Sequence, residues 1–193
     1  MRHRAIGLVL GVLAALAVTA APASAGTGPA AVTNAPGSVS NSTIQAPPLP
    51  KDQVRQAAGT LCLNAHLAGI GWQGWTCGTS VQVGTTGQSR QMEALAVTTS
   101  GAGGICAQAH VSGLGWLSQV CVADGGTAVV GTTGQSRAME ALGLGSPGST
   151  TCANAHLAGI GWQGTQCAGP GVVALVGTTG QSRAMEALAA SLS

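Results

Sequence analysis

NAHLAGIGWQG at 64–74 and GTTGQSR at 84–90 decide the architecture, because each stretch returns twice more. The first recurs as QAHVSGLGWLS at 108–118 and NAHLAGIGWQG at 154–164, the second unchanged at 131–137 and 177–183, and every GTTGQSR is followed one residue later by MEAL. His66, His110 and His156 are spaced 44 and 46 residues apart, and Trp72, Trp116 and Trp162 keep the same spacing. The chain therefore holds three copies of one unit, over 58–100, 102–145 and 148–193. A unit of that length has too little interior to be stable alone, so the copies are expected to share one core in a single domain over 55–193.

Gly-rich turns recur along each unit between short runs with β-branched residues, a spacing that predicts an all-β domain. In the first unit the expected strands are 61–67, 72–77, 80–85 and 90–98, with a turn at Ala68-Gly69-Ile70-Gly71. RQMEALAV also contains good helix formers, but its short length and Gly143 in the second copy favour a strand there. Three pseudo-equivalent units fit either a β-prism, with a sheet on each side, or a β-trefoil. The prism is favoured because each unit reads as its own stapled sheet.

Working outward, MRHR followed by AIGLVLGVLAALAVTA and Ala23-Ser24-Ala25 reads as a secretory signal peptide over 1–25. Residues 26–54 are rich in Pro, Gly, Ala, Ser and Thr without an apolar period, the composition of a flexible leader. It includes the sequon Asn41-Ser42-Thr43. After removal of 1–25, Lys51, Arg55, Arg90, Arg137 and Arg183 balance Asp52, Glu93, Asp124, Glu140 and Glu186. A neutral chain lacks the cationic footprint that nucleic-acid binding needs, and no later run is long enough to span a membrane. A secreted, extracellular product is the expectation, with association with the cell surface as its alternative.

Cys62 and Cys77, Cys106 and Cys121, and Cys152 and Cys167 are each 15 residues apart, so every unit contains its own pair. An antiparallel hairpin about Gly69-Ile70 brings Cys62 opposite Cys77, within disulfide reach. Each bridge closes a loop worth about 3 kcal/mol in the chain-entropy model. With no Phe or Tyr and many Ala and Gly, such staples stand in for missing burial.

By period-2 alternation Glu93 shares a face with Leu95 and Val97, and Glu140 with Leu142 and Leu144. A buried carboxylate needs a partner, and the repeated candidates are His66, Arg90 and the GTTG amides. One structural polar cluster per unit is expected: His66, Arg90 and Glu93; His110, Arg137 and Glu140; His156, Arg183 and Glu186. The three His could instead meet on an axis as a zinc site, for which no second-shell signal exists. GTTGQSR lacks the Lys and length of a phosphate loop, there is no dinucleotide fingerprint, and neither GxSxG nor HExxH occurs. No cofactor, no metal and no catalytic residue are expected, and a polysaccharide hydrolase is the weakest function class. Trp72, Trp116 and Trp162 read first as core anchors and second as ligand platforms. Trp75 occurs in one copy only, with Gln119 and Thr165 at the equivalent places, so it is expected exposed and suited to stacking. Asn64, Gln73 and Gln163 complete the candidate ligand-binding set.

The pattern AH-x3-[IL]-GW followed by GTTGQSR-x-MEAL resembles the ChW repeat, a hydrophobic Trp-containing repeat first described in clostridia, in all three copies. Here the cysteines stand where the family usually has aromatic or aliphatic residues, which supports contact between those positions. The resemblance implies a secreted or surface-attached bacterial protein that binds polysaccharide or protein, without established catalytic residues. The leading expectation is a non-catalytic module for an extracellular carbohydrate or cell-envelope polymer. A protein-interaction or structural surface role is the runner-up.

Overall fold

Short runs of small, aliphatic and β-branched residues broken by glycines favour short strands, and among the described residues the regular structure is all β. The computed structural model describes residues 44–50, 53 and 59–193; the expected signal peptide and the sequon lie outside these. The first unit contributes β1 (Thr60–Leu67), β2 (Gly71–Trp72), β3 (Thr76–Gly78), β4 (Ser80–Gly84) and β5 (Met92–Ser100). The second contributes β6 (Ile105–Val111), β7 (Gly115–Trp116), β8 (Val120–Val122), β9 (Ala128–Gly131) and β10 (Met139–Gly145). The third contributes β11 (Thr151–Leu157), β12 (Gly161–Trp162), β13 (Gln166–Ala168), β14 (Ala174–Gly177) and β15 (Met185–Leu192). RQMEALAV is strand from Met92 onward, not helix. The expected strand 72–77 is split into β2 and β3, because Gly74 adopts φ 100° and its amide turns to donate to Asn64 Oδ1 at 3.0 Å.

The strands form three five-stranded sheets: β2-β1-β5-β9 with β3 also on β1, β14-β10-β6-β7 with β8 on β6, and β12-β11-β15-β4 with β13 on β11. No sheet belongs to one unit, which corrects the expectation that each unit carries its own. β1 already has β5 on one edge and β2 and β3 on the other, so β4 finds its partner in β15 of the third unit. Likewise β9 joins β5 and β14 joins β10, so the exchange closes in a ring. Gly131 is where the second unit meets the first: a Cβ there would lie 2.3 Å from the Glu93 carbonyl oxygen, and φ is 101°. Only glycine fits.

The inner faces meet in one apolar cluster without aromatic side chains, to which Leu61, Leu95, Ile105, Leu142, Leu157 and Leu188 contribute from all three units. Met92, Met139 and Met185 are equivalent and fully buried. The bridges Cys62–Cys77, Cys106–Cys121 and Cys152–Cys167 join register partners, with Cα separations of 4.1, 4.0 and 4.0 Å. Among the described residues no helix is long and apolar enough to cross a membrane.

Ring closure makes the units interdependent. A chain ending at residue 147 leaves β4 and β10 each without an edge partner, so it is expected to lose the cooperative thermal transition of the full chain. Circular dichroism and sedimentation check this; a monomeric two-unit chain with a sharp transition would contradict it.

Candidate functional site

Each unit builds the same site around one β-bulge. On β1 and β5, Leu67 pairs with Met92 but His66 pairs with Ala94, so Glu93 is an extra residue. The same slip makes Glu140 and Glu186 the extra residues in the other sheets. A bulge turns its residue out of the alternation. Glu93 therefore leaves the face of Leu95 and Val97 and joins that of His66, which corrects the period-2 expectation of a carboxylate on the aliphatic face. His66 Nδ1 lies 3.2 Å from Glu93 Oε2, and the pairs His110–Glu140 and His156–Glu186 have the same separation. These are close charge contacts when the imidazole is protonated, but Nδ1 is off the line of a hydrogen bond.

The other side of each imidazole meets an indole edge-on. Ring centroids are 5.2, 5.4 and 5.3 Å apart for His66–Trp72, His110–Trp116 and His156–Trp162, with interplanar angles of 80°, 79° and 80°. The Trp residues are not core anchors, which corrects the first reading of them. The core alternation places His66 outward on β1, and its register partner Trp72 comes out with it. Trp116 is 42% and Trp162 39% exposed, and Trp72 is half-buried. Beside them Ile70, Leu114 and Ile160 are 48%, 47% and 48% exposed at the turn tips. These three aliphatics were missed from the sequence. The signal was present, since an apolar residue between two glycines of a tight hairpin turn cannot reach the core.

The arginines do not pair with the glutamates. Arg90 Nη1 donates to the Ala68 carbonyl at 3.2 Å, Arg137 Nη1 to Ser112 at 2.9 Å and Arg183 Nη1 to Ala158 at 3.3 Å. Each lies so close over the turn that a Cβ on Gly69, Gly113 or Gly159 would come 3.0, 2.6 or 3.2 Å from Nη1. Arginine thus clamps the turn that carries the aliphatic–Trp pair. The GTTG amides also miss the carboxylates: Thr132, Thr178 and Thr85 donate their amides to the main-chain carbonyls of Glu93, Glu140 and Glu186. Among the described residues no group of three or more His, Cys, Asp or Glu converges as metal ligands, so the histidines do not meet on an axis.

Four expected ligand residues are committed elsewhere. Asn64 is fully buried and accepts from the Gly74 amide, so it shapes the chain break between β2 and β3. Gln73 Oε1 accepts from Gly84 N at 2.8 Å, and Gln163 Oε1 from Gly177 N at 3.0 Å, bracing the exchanged strands. Trp75 is half-buried rather than exposed: its indole N–H donates to the Pro47 carbonyl at 3.0 Å, which ties the expected leader to the domain at Pro47.

Asp124 has no counterpart in the other units. Burial would raise its carboxyl, but the Thr99 hydroxyl and the amides of Gly103, Ala102 and Gly104 donate to it and hold it below its ordinary value of 3.8.

The fold and the three bulge-centred sites define a tandem-repeat all-β protein. The chain belongs to the ChW family, described as Clostridial hydrophobic W, whose sequence profile matches residues 66–101, 110–144 and 156–193. Comparison with curated proteins and with solved structures gave no match.

Glu140→Gln removes the charge beside His110 within a buried contact and is expected to cost about 1–3 kcal/mol. Urea denaturation at neutral pH checks this, and unchanged stability would show that the pair is idle. Asp124→Asn tests a different dependence. A carboxyl whose folded value is depressed stabilises fully above its unfolded value and loses that contribution as pH falls through the folded one. Wild type should therefore exceed the variant by about 1 kcal/mol near neutrality, the small size reflecting solvent exposure. The gap should narrow below pH 3.8. Stability curves for the two proteins, measured as a function of pH, decide it.

Proposed function

We propose that the protein is an exported, non-catalytic binding module for a carbohydrate or cell-envelope polymer, engaging it through the three turn-borne Trp residues. The observation that carries this reading is the threefold presentation of an outward indole, exposed at Trp116 and Trp162 and half-buried at Trp72, beside an exposed aliphatic side chain. An indole face stacks on the apolar side of a sugar ring. Three weak, equivalent sites on one domain act together on a repetitive polymer through effective concentration. The His contact fixes the indole's orientation, so little side-chain entropy is lost on binding. Three disulfides fit an oxidising compartment outside the cytosol. The His–Glu pair, on this reading, positions the Trp and does no acid–base chemistry.

Retention of the full chain on insoluble peptidoglycan, chitin and cellulose tests this, alongside Trp116→Ala, Trp162→Ala and the variant lacking Trp72, Trp116 and Trp162 together. Single changes are expected to weaken retention about tenfold and the triple change to abolish it, with melting temperatures held. A discrete protein partner recovered from envelope extracts, with no glycan retaining the chain, would replace this reading by the protein-interaction module, for which the exposed Ile and Leu side chains are also suited.

A further inference from the structure

Gln91, Ala138 and Ala184 hold equivalent places, each following the arginine of its unit, and all three line one cavity of about 440 Å³. A cavity that touches equivalent positions of three units lies near their pseudo-threefold axis. Ala138 and Ala184 leave room where the longer Gln91 stands, so the cavity extends mainly over the second unit. There Ser112 and Gly113 belong to its wall and to the turn that carries Leu114 and Trp116. The volume suits a small-molecule site.

Two features of the lining point to a ligand. Arg137 uses Nη1 on the Ser112 carbonyl at 2.9 Å, and its other N–H groups have no partner among the described residues. Glu140, the one carboxylate in the wall, is buried and turned to His110, 3.2 Å away, so the guanidinium keeps its charge for something else. Ser136 and Ser182 also line the cavity and are exposed. With Ser89 they are the only non-glycine residues at positive φ among the described ones, each at 51°. Glycine holds such a backbone without strain, as Gly134 and Gly180 do two residues earlier. Serine stands there in all three copies instead, and the hydroxyls of Ser136 and Ser182 make no hydrogen bond within the described residues. Strain kept for a side chain that bonds to nothing in the protein marks a binding surface. A guanidinium fork flanked by hydroxyls matches an oxyanion that itself has hydroxyls beside it. We propose that this axial cavity holds one oxyanion-bearing sugar unit of the bound polymer, carboxylate or phosphate, with Arg137 on the anion and Ser136 and Ser182 on the neighbouring hydroxyls. The inference rests on the polymer-binding reading above and gives that polymer a negative charge.

The test is an amide chemical-shift titration of the full chain with glucuronate, glycerol 3-phosphate and glucose. Saturable shifts at Ser112, Ser136 and Ser182 are expected with at least one of the two anions, the tighter of which identifies the oxyanion, and none with glucose. Added salt should weaken them, since the contact is charged and open to solvent. Arg137→Gln should abolish saturation. Because Arg137 also clamps its turn, a second variant carrying Ser136→Gly and Ser182→Gly together keeps the test independent of folding. Relieved of strain, it should hold or raise the melting temperature while weakening binding about tenfold. Unchanged affinity in both variants, or equal shifts with glucose, would overturn the cavity. Retention on an insoluble polymer without any anion-dependent shift at the cavity would overturn it too and leave the proposed function standing. Anion-dependent shifts there without retention on any polymer would uphold the oxyanion site and remove the polymer reading.

Discussion

A β-bulge sends the two polar ends of one residue in different directions, and in this protein that residue is Glu93, Glu140 or Glu186. The carboxylate turns to the imidazole of its own unit, 3.2 Å away, and the imidazole meets the outward indole edge-on. The main-chain carbonyl turns to the next unit, where it accepts from Thr132, Thr178 or Thr85. Gly131, Gly177 and Gly84 precede these threonines, and a Cβ on any of them would come within 2.4 Å of the same carbonyl. One local irregularity therefore both orients the surface Trp and seats the exchanged strand. Loss of the bulge would disturb both together.

The exchange also explains how so thin a core suffices. Leu, Ile, Val, Met and Ala fill the interior with no aromatic ring, so the burial available per residue is small. Pairing each fourth strand with a neighbour spreads backbone hydrogen bonds across all three units, and no unit can open without exposing another's sheet edge. The disulfides act on a different part of the same problem. They fix β1 to β3, β6 to β8 and β11 to β13, where the three-residue partner strands bring little burial of their own.

Much of this was legible in the sequence. The three tandem copies, the all-β class and the cysteine pairs follow from spacing, because a hairpin about a glycine turn sets its two flanking strands opposite each other. The bulge was not legible, since alternation assumes an unbroken ladder; once Glu93 is an extra residue, every inference drawn from its parity fails. The destination of β4 was hidden for a related reason. Local pattern marks a strand but not its partner, and the nearest edges, those of β1, are filled by β2, β3 and β5. Trp72 misled by its size: large aromatics are ordinarily buried, yet its register partner His66 faces outward. Asn64 looked like a surface hydrogen-bonding group, but it is needed where the chain breaks between β2 and β3.

The departures from threefold symmetry collect on the first unit and at its junction with the second. Trp75, Asp124 and the segment around Pro47 have no counterparts elsewhere, and Gln91 donates to Glu93 at 3.4 Å where Ala138 and Ala184 follow the other arginines. Symmetry-related residues are constrained by a shared core and a shared ring of exchanges, so a change in one copy is tolerated only where it does not touch that ring. Gln91 satisfies this by capping a carboxylate, and Trp75 and Asp124 satisfy it by facing outward. The first unit and its junction with the second are thus where contacts have been added outside the ring of exchanged strands.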